Sequence, residues 1–182
     1  QDKVDFISAK VNVYPIPEDK AIKGSVDYHF ISTEKIDSIF LDAKNMDFIS
    51  VELNNKNSRF DYDGEHIVIR EKFKKGRTYS LRLEYACRPK QTVYFIGWED
   101  TVVGNEQIWT QGQGKYTSHW LPSFDDMEEK VEFDLRIKST NDFTVIANGK
   151  LIDRQELERN SVWQFDMQQP MSSYLLAFAI GN

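Results

Sequence analysis

The residues with the most chemical promise are Gln111 and Gln113, set in the run Trp109-Thr110-Gln111-Gly112-Gln113-Gly114. In an extended strand, positions two apart project to the same side, so the two primary amides are expected to converge on one small region. Each amide offers a carbonyl acceptor suited to an ammonium group and N–H donors suited to a carbonyl. Gly112 and Gly114 carry no side chain, which lets a ligand or a neighbouring backbone come close. By spacing alone, the same four residues also describe a polar strand end with no function of its own.

Other chemistry is thin. The sequence holds no His-Glu-x-x-His helix, Gly-x-Ser-x-Gly elbow, Cys-x-x-Cys pair or phosphate-cradling glycine loop. Gly112-Gln113-Gly114 is not a dinucleotide fingerprint, because no helical pattern follows it. His29, His66 and His119 share no metal-ligand spacing, and solvent-exposed positions are expected for the first two. Asp125, Asp126, Glu128 and Glu129 form an acidic cluster of the kind that hard cations such as calcium use. They lack a glycine-centred twelve-residue loop, so a solvated loop is the plainer expectation. Trp98, Trp109, Trp120 and Trp163 together could offer a stacking platform for a flat-faced ligand such as a sugar. Trp109 and Trp163 have apolar neighbours and are expected in the core or on a sheet face.

The formal net charge of -6 argues against nucleic acid, which requires clustered Lys and Arg. Lys72, Lys74, Lys75 and Arg77 do cluster, but Phe73 and Gly76 among them suggest a solvated turn before a strand. No apolar run approaches bilayer length, so no membrane partner is expected. Cys87 stands alone and cannot form an internal disulfide; a small apolar filler at a strand end is its expected role. A chain opening at Gln1 suggests a processed, exported bacterial product and carries no signal peptide in these residues.

Period-two alternation must build the frame that positions the glutamines. Val131, Phe133, Leu135 and Ile137 face one way and Glu132, Asp134, Arg136 and Lys138 the other. Tyr79, Leu81, Leu83 and Tyr85 repeat the pattern, as do Ala9, Val11 and Val13. Ile22, Val26, Tyr28 and Phe30 do so around Gly24, a bulge or close-approach point. Asp63-Gly64 predicts a tight hairpin between Phe60-Asp61-Tyr62 and His66-Ile67-Val68-Ile69, and Asn148-Gly149 another between Phe143-Thr144-Val145-Ile146 and Leu151-Ile152. Residues 153–159 are the best short helix candidate. Many short strands with close turns predict an all-β fold, an antiparallel β-sandwich or saddle-like sheets, as a single domain over 1–182.

Several motifs together resemble the N-terminal domain of M1-family zinc aminopeptidases. Thr110-Gln111-Gly112-Gln113 is similar to that family's Thr-Gln-x-Glu or Gln-x-Gln element. Leu121-Pro122-Ser123-Phe124-Asp125-Asp126-Met127 resembles its Pro-Cys-x-Asp-x-Pro, with Ser123 for the cysteine and Met127 for the second proline. Lys130 and Phe133, Ala147-Asn148-Gly149, Tyr94-Phe95-Ile96-Gly97, and Pro170 with Ser173-Tyr174-Leu175-Leu176-Ala177-Phe178 also fit. The resemblance implies that Gln113 anchors the α-amine of a peptide and that Gln111 lines the pocket for the first side chain. Gly112 and Gly114 would then sit where peptide and backbone approach closely. Many members have Glu at the position of Gln113; a neutral amide accepts from an ammonium more weakly than a carboxylate. The resemblance places zinc, its ligands and the general base in a following catalytic domain. It implies no cofactor and no catalytic residue in this chain, which would not turn over substrate alone. The alternative is a free-standing β module binding glycan or protein.

Overall fold

The computed structural model describes residues 3–99 and 104–182. Gln1, on which the reading of the chain's start rests, lies outside them. In chain order the strands are β1 (Val4–Ile16), β2 (Ala21–Ser32), β3 (Ile39–Asp42), β4 (Met46–Leu53), β5 (Lys56–Asn57), β6 (Phe60–Tyr62), β7 (His66–Ile69) and β8 (Thr78–Cys87). They continue as β9 (Val93–Ile96), β10 (Gln107–Thr110), β11 (Lys130–Thr140), β12 (Thr144–Ala147), β13 (Lys150–Glu156), β14 (Asn160–Asp166), β15 (Met171–Ser172) and β16 (Phe178–Gly181). Helical structure among the described residues is limited to three 3₁₀ turns. The fold is all-β, as the alternation predicts.

Three sheets form. The largest runs β13-β14-β11-β1-β2-β8-β4-β5, with β15 added to β11. A four-stranded sheet runs β12-β16-β10-β9 and a three-stranded one β3-β7-β6. The described ladders are antiparallel except one: β1 and β11 run parallel, with Ala9 opposite Phe133 and Val11 opposite Leu135. The buried faces of all three sheets share one continuous core. An aromatic knot sits within it, where the Phe6 ring lies 4.3 Å from Phe124 and 5.4 Å from Tyr28. The Tyr28 hydroxyl donates to the Pro122 carbonyl at 2.6 Å and so ties the large sheet to the loop after β10.

Local chemistry explains most of the turns. Asp63 Oδ1 accepts from the N–H groups of Glu65 and His66, and Gly64 adopts φ +94°, which closes the expected β6–β7 hairpin. Gly24 is a close-approach point and not a bulge, because the Tyr85 ring fills the space a Cβ would take. Cys87 is buried in the core, and desolvation pushes its thiol up to about 12.

Two expectations fail. Asn148-Gly149 does not close a hairpin: β12 pairs with β16, whereas β13 pairs with β14. It is a corner between two sheets, where Asn148 Oδ1 accepts from Ala177 N–H at 2.6 Å. A Cβ on Gly149 would lie 2.7 Å from the Asp166 carbonyl oxygen. Residues 153–159 are not helical either. They complete β13 and turn into β14, with the Leu157 N–H donating to the Asn160 carbonyl at 2.7 Å. Every residue of β13 is exposed, as befits an edge strand with no core face. Such a strand shows no alternation from which to read it.

Candidate functional site

β10 ends at Thr110, and its last residue secures the neighbouring strand through its side chain. The Thr110 hydroxyl accepts the Phe178 N–H at 3.0 Å and lies 3.5 Å from the Phe178 carbonyl oxygen. Gln111 follows directly, its N–H donating to the Thr92 carbonyl at 2.8 Å. Gln113 and Gly114 then lie in a turn, with Gly114 at φ +95° and Lys115 at φ +87°. That turn closes when Tyr116 N–H meets the Gly112 carbonyl at 3.4 Å. The strand therefore stops before Gln113, so strand alternation alone does not fix the two amides on one side.

Gly112 is buried between two exposed glutamines, and its lack of a side chain is required. A Cβ there would lie 2.8 Å from both Thr117 Oγ1 and the Tyr174 carbonyl oxygen. Gly114 is exposed, and its need is for the left-handed backbone conformation. Neither glutamine side chain makes a hydrogen bond among the described residues, and both are exposed.

The support beneath this turn comes from buried hydroxyls that the sequence reading did not single out. Thr117 Oγ1 donates to the Ser173 carbonyl at 2.9 Å, and Ser172 Oγ to the Met127 carbonyl at 2.6 Å. Ser173 Oγ donates to the Phe124 carbonyl. These bonds staple the loop after β10 to β15 and to the 3₁₀ turn Ser173–Leu175 that follows it. Isolated Ser and Thr residues in a loop carry no sequence signal for such a role.

The acidic loop is bound into the structure. Asp125 Oδ2 accepts from Ser118 Oγ at 2.9 Å, its N–H donates to Asp42 Oδ2 at 2.8 Å, and Glu129 accepts from Phe6 N–H at 3.0 Å. Burial raises both carboxyls above their ordinary range. Among the described residues, the carboxylates close enough in threes to share a cation are Glu132, Asp134 and Asp166, none of them from that loop. A set without His or Cys does not match the nitrogen- and sulfur-rich donors of zinc sites.

His29 is exposed, whereas His66 is half-buried, 3.4 Å from Asp42 and 3.5 Å from Asp63. The aromatic platform is not assembled. Trp120 is fully buried against Phe178, and the Trp98 indole N–H donates to the Gln107 carbonyl at 3.2 Å. Trp163 is in the core and Trp109 stacks on Tyr94 with centroids 4.3 Å apart, both as expected. Across the four-stranded sheet, Ile146, Ala179, Trp109 and Tyr94 stand in one row on the outer face. Ile146 is 67% exposed.

The chain is similar to aminopeptidases across most of its length. It is 27% identical to a leucyl aminopeptidase of Saccharolobus solfataricus, over 95% of this chain and 22% of that protein. It is 26% identical to leucine aminopeptidase 2 of Lodderomyces elongisporus, over 91% of this chain and 26% of that one. The chain thus spans about a quarter or less of these relatives' length. Its fold matches an M1 zinc metallopeptidase of Deinococcus radiodurans bound to a Tyr-Ser-Ala substrate, with TM-score 0.85 and 19% identity, covering 100% of this chain and 43% of that one. It also matches yeast LTA4 hydrolase, with TM-score 0.87 and 21% identity, covering 100% of this chain and 29% of that one. A sequence profile of the peptidase M1 N-terminal domain matches residues 7–175, and the chain belongs to that family.

Proposed function

We propose that residues 1–182 form one domain that anchors the substrate of a zinc aminopeptidase and is inactive by itself. Gln113 accepts from the α-ammonium of a peptide through its amide carbonyl, and Gln111 lines the pocket for the first side chain. The observation that carries this reading is the mounting of the turn: both amides are exposed and uncommitted among the described residues, on a backbone held from beneath at Gly112. Preorganised backbone of this kind holds polar groups in a fixed place for a ligand.

The chemistry would come from zinc in the catalytic domain of the full-length protein, which activates water for attack on the first peptide bond. This chain's residues bind and orient. The apolar row through Ile146, Trp109 and Tyr94 would lie against that domain, and its exposure in the chain alone favours mild self-association.

The test is Gln113→Ala in the full-length protein. Loss of turnover of dipeptides with a free amine, at unchanged thermal stability, is expected. Unchanged kinetics would discard the anchoring role. The purified chain should also neither retain zinc nor cleave an aminoacyl substrate; turnover surviving a control for contaminating peptidase would refute its inactivity.

A further inference from the structure

On a chain with a formal net charge of -6, one recess collects positive charge. Lys44, Arg88, Lys90 and His119 line a cavity of about 270 Å3, together with Asn45 and Gln91. Arg88 and Lys90 are exposed and make no ion pair among the described residues. Lys44 is mostly buried, its ammonium 3.6 Å from the exposed Glu65, and its N–H donates to the Ser118 carbonyl at 2.7 Å. Lys44 is therefore held in place, while Arg88 and Lys90 are uncommitted among the described residues.

His119 Nε2 lies 2.8 Å from Gln91 Nε2. With the amide donating, Nε2 accepts and the ring proton sits on Nδ1, so the imidazole keeps a donor of its own. Burial chiefly, and the Lys44 charge secondly, hold this histidine below its ordinary range. Asp125 also lies within electrostatic reach of Lys44.

We propose that this recess binds an oxyanion, a carboxylate or a phosphate group. Arg88 supplies a planar fork suited to two oxygens of such a group. Lys44 and Lys90 supply compact charge, and the neutral donors of Asn45, Gln91 and His119 complete the ring. Glu65 reaches Lys44 from the solvent side, and an incoming anion displaces it. The site stands whether or not the two glutamines bind a peptide amine.

The experiment is a titration of the 182-residue chain with inorganic phosphate, and separately with N-acetylaspartate. Two-dimensional NMR follows the shifts at constant ionic strength set by chloride. Saturable shifts confined to Lys44, Arg88, Gln91 and His119 are expected, with the His119 titration midpoint raised when the anion offsets Lys44. The ligand that saturates at lower concentration identifies the source as phosphate or carboxylate. Charge reversal at exposed positions, Arg88→Glu with Lys90→Glu, should weaken binding by roughly tenfold or more, since attraction becomes repulsion at close range. The milder Lys90→Gln serves if the double variant misfolds. Non-saturable shifts with both ligands, or binding unchanged in these variants, would overturn the proposal.

Discussion

Thr110 completes the hydrogen bonding of Phe178 with its side chain: the hydroxyl takes the Phe178 N–H at 3.0 Å, in a position where both residues are buried. The glutamine turn thus hangs from a strand whose end is fixed by a threonine.

Removing that hydroxyl leaves a buried amide without a partner. Thr110→Val is expected to lower unfolding free energy by about 1–3 kcal/mol, and Thr110→Ser to restore most of it. Urea denaturation of the three proteins decides; equal midpoints for Val and Thr would contradict the assignment.

Gly112 should tolerate no side chain. A Cβ would press on the Tyr174 carbonyl, which is backbone and cannot swing aside. Gly112→Ala is expected to cost about 1–3 kcal/mol, as overpacking does. Gly181→Ala, where the nearest atom is 3.5 Å away, is the control and should cost clearly less.

Ser123 is fully buried, and its Oγ finds no hydrogen-bond partner among the described residues, while its backbone exchanges two bonds with Asp42 at 2.9 Å each. A thiol is less costly to bury than an orphaned hydroxyl. Ser123→Cys is therefore expected to raise stability by about 1 kcal/mol. A lower thermal midpoint for the variant under reducing conditions would argue against it.

Asp125 links stability to pH. Its carboxyl is raised by burial, so the folded chain holds this proton to higher pH than the unfolded chain does. Below the unfolded carboxylate range both states are protonated and the group is neutral to stability. As pH rises through the raised folded value, the contribution becomes unfavourable. Asp125→Asn, which keeps an acceptor for Ser118, should gain thermal midpoint relative to the parent as pH goes from 3 to 7. A difference that stays constant over that range would rule the linkage out.

The frame was legible where strands have one dry face. Val131 through Ile137 alternate because β11 sits centrally, packed on one side and polar on the other. β13 was not, since a solvated edge has no periodicity, and Asn148-Gly149 has hairpin composition without hairpin pairing. Turn chemistry reports local geometry and not which strand becomes the partner. At the site, the glycines could be read as close-approach points, and Gly112 is one. The staples from Thr117, Ser172 and Ser173 were invisible, because they join residues dozens of positions apart. Trp120 shows the same limit: composition names an aromatic, and only packing decides whether it faces a ligand.

The parallel ladder between β1 and β11 sets an order of events during synthesis. Glu129, just ahead of β11, accepts from Phe6 N–H across 123 residues of chain. At roughly 5–20 residues per second, the first strand leaves the ribosome on the order of ten seconds before that partner exists. Until then the hairpin of β1 and β2 carries an open, bonding-competent edge. The loop bearing the glutamines is made during that interval and is closed off only when the later half of the chain arrives to zip the edge shut.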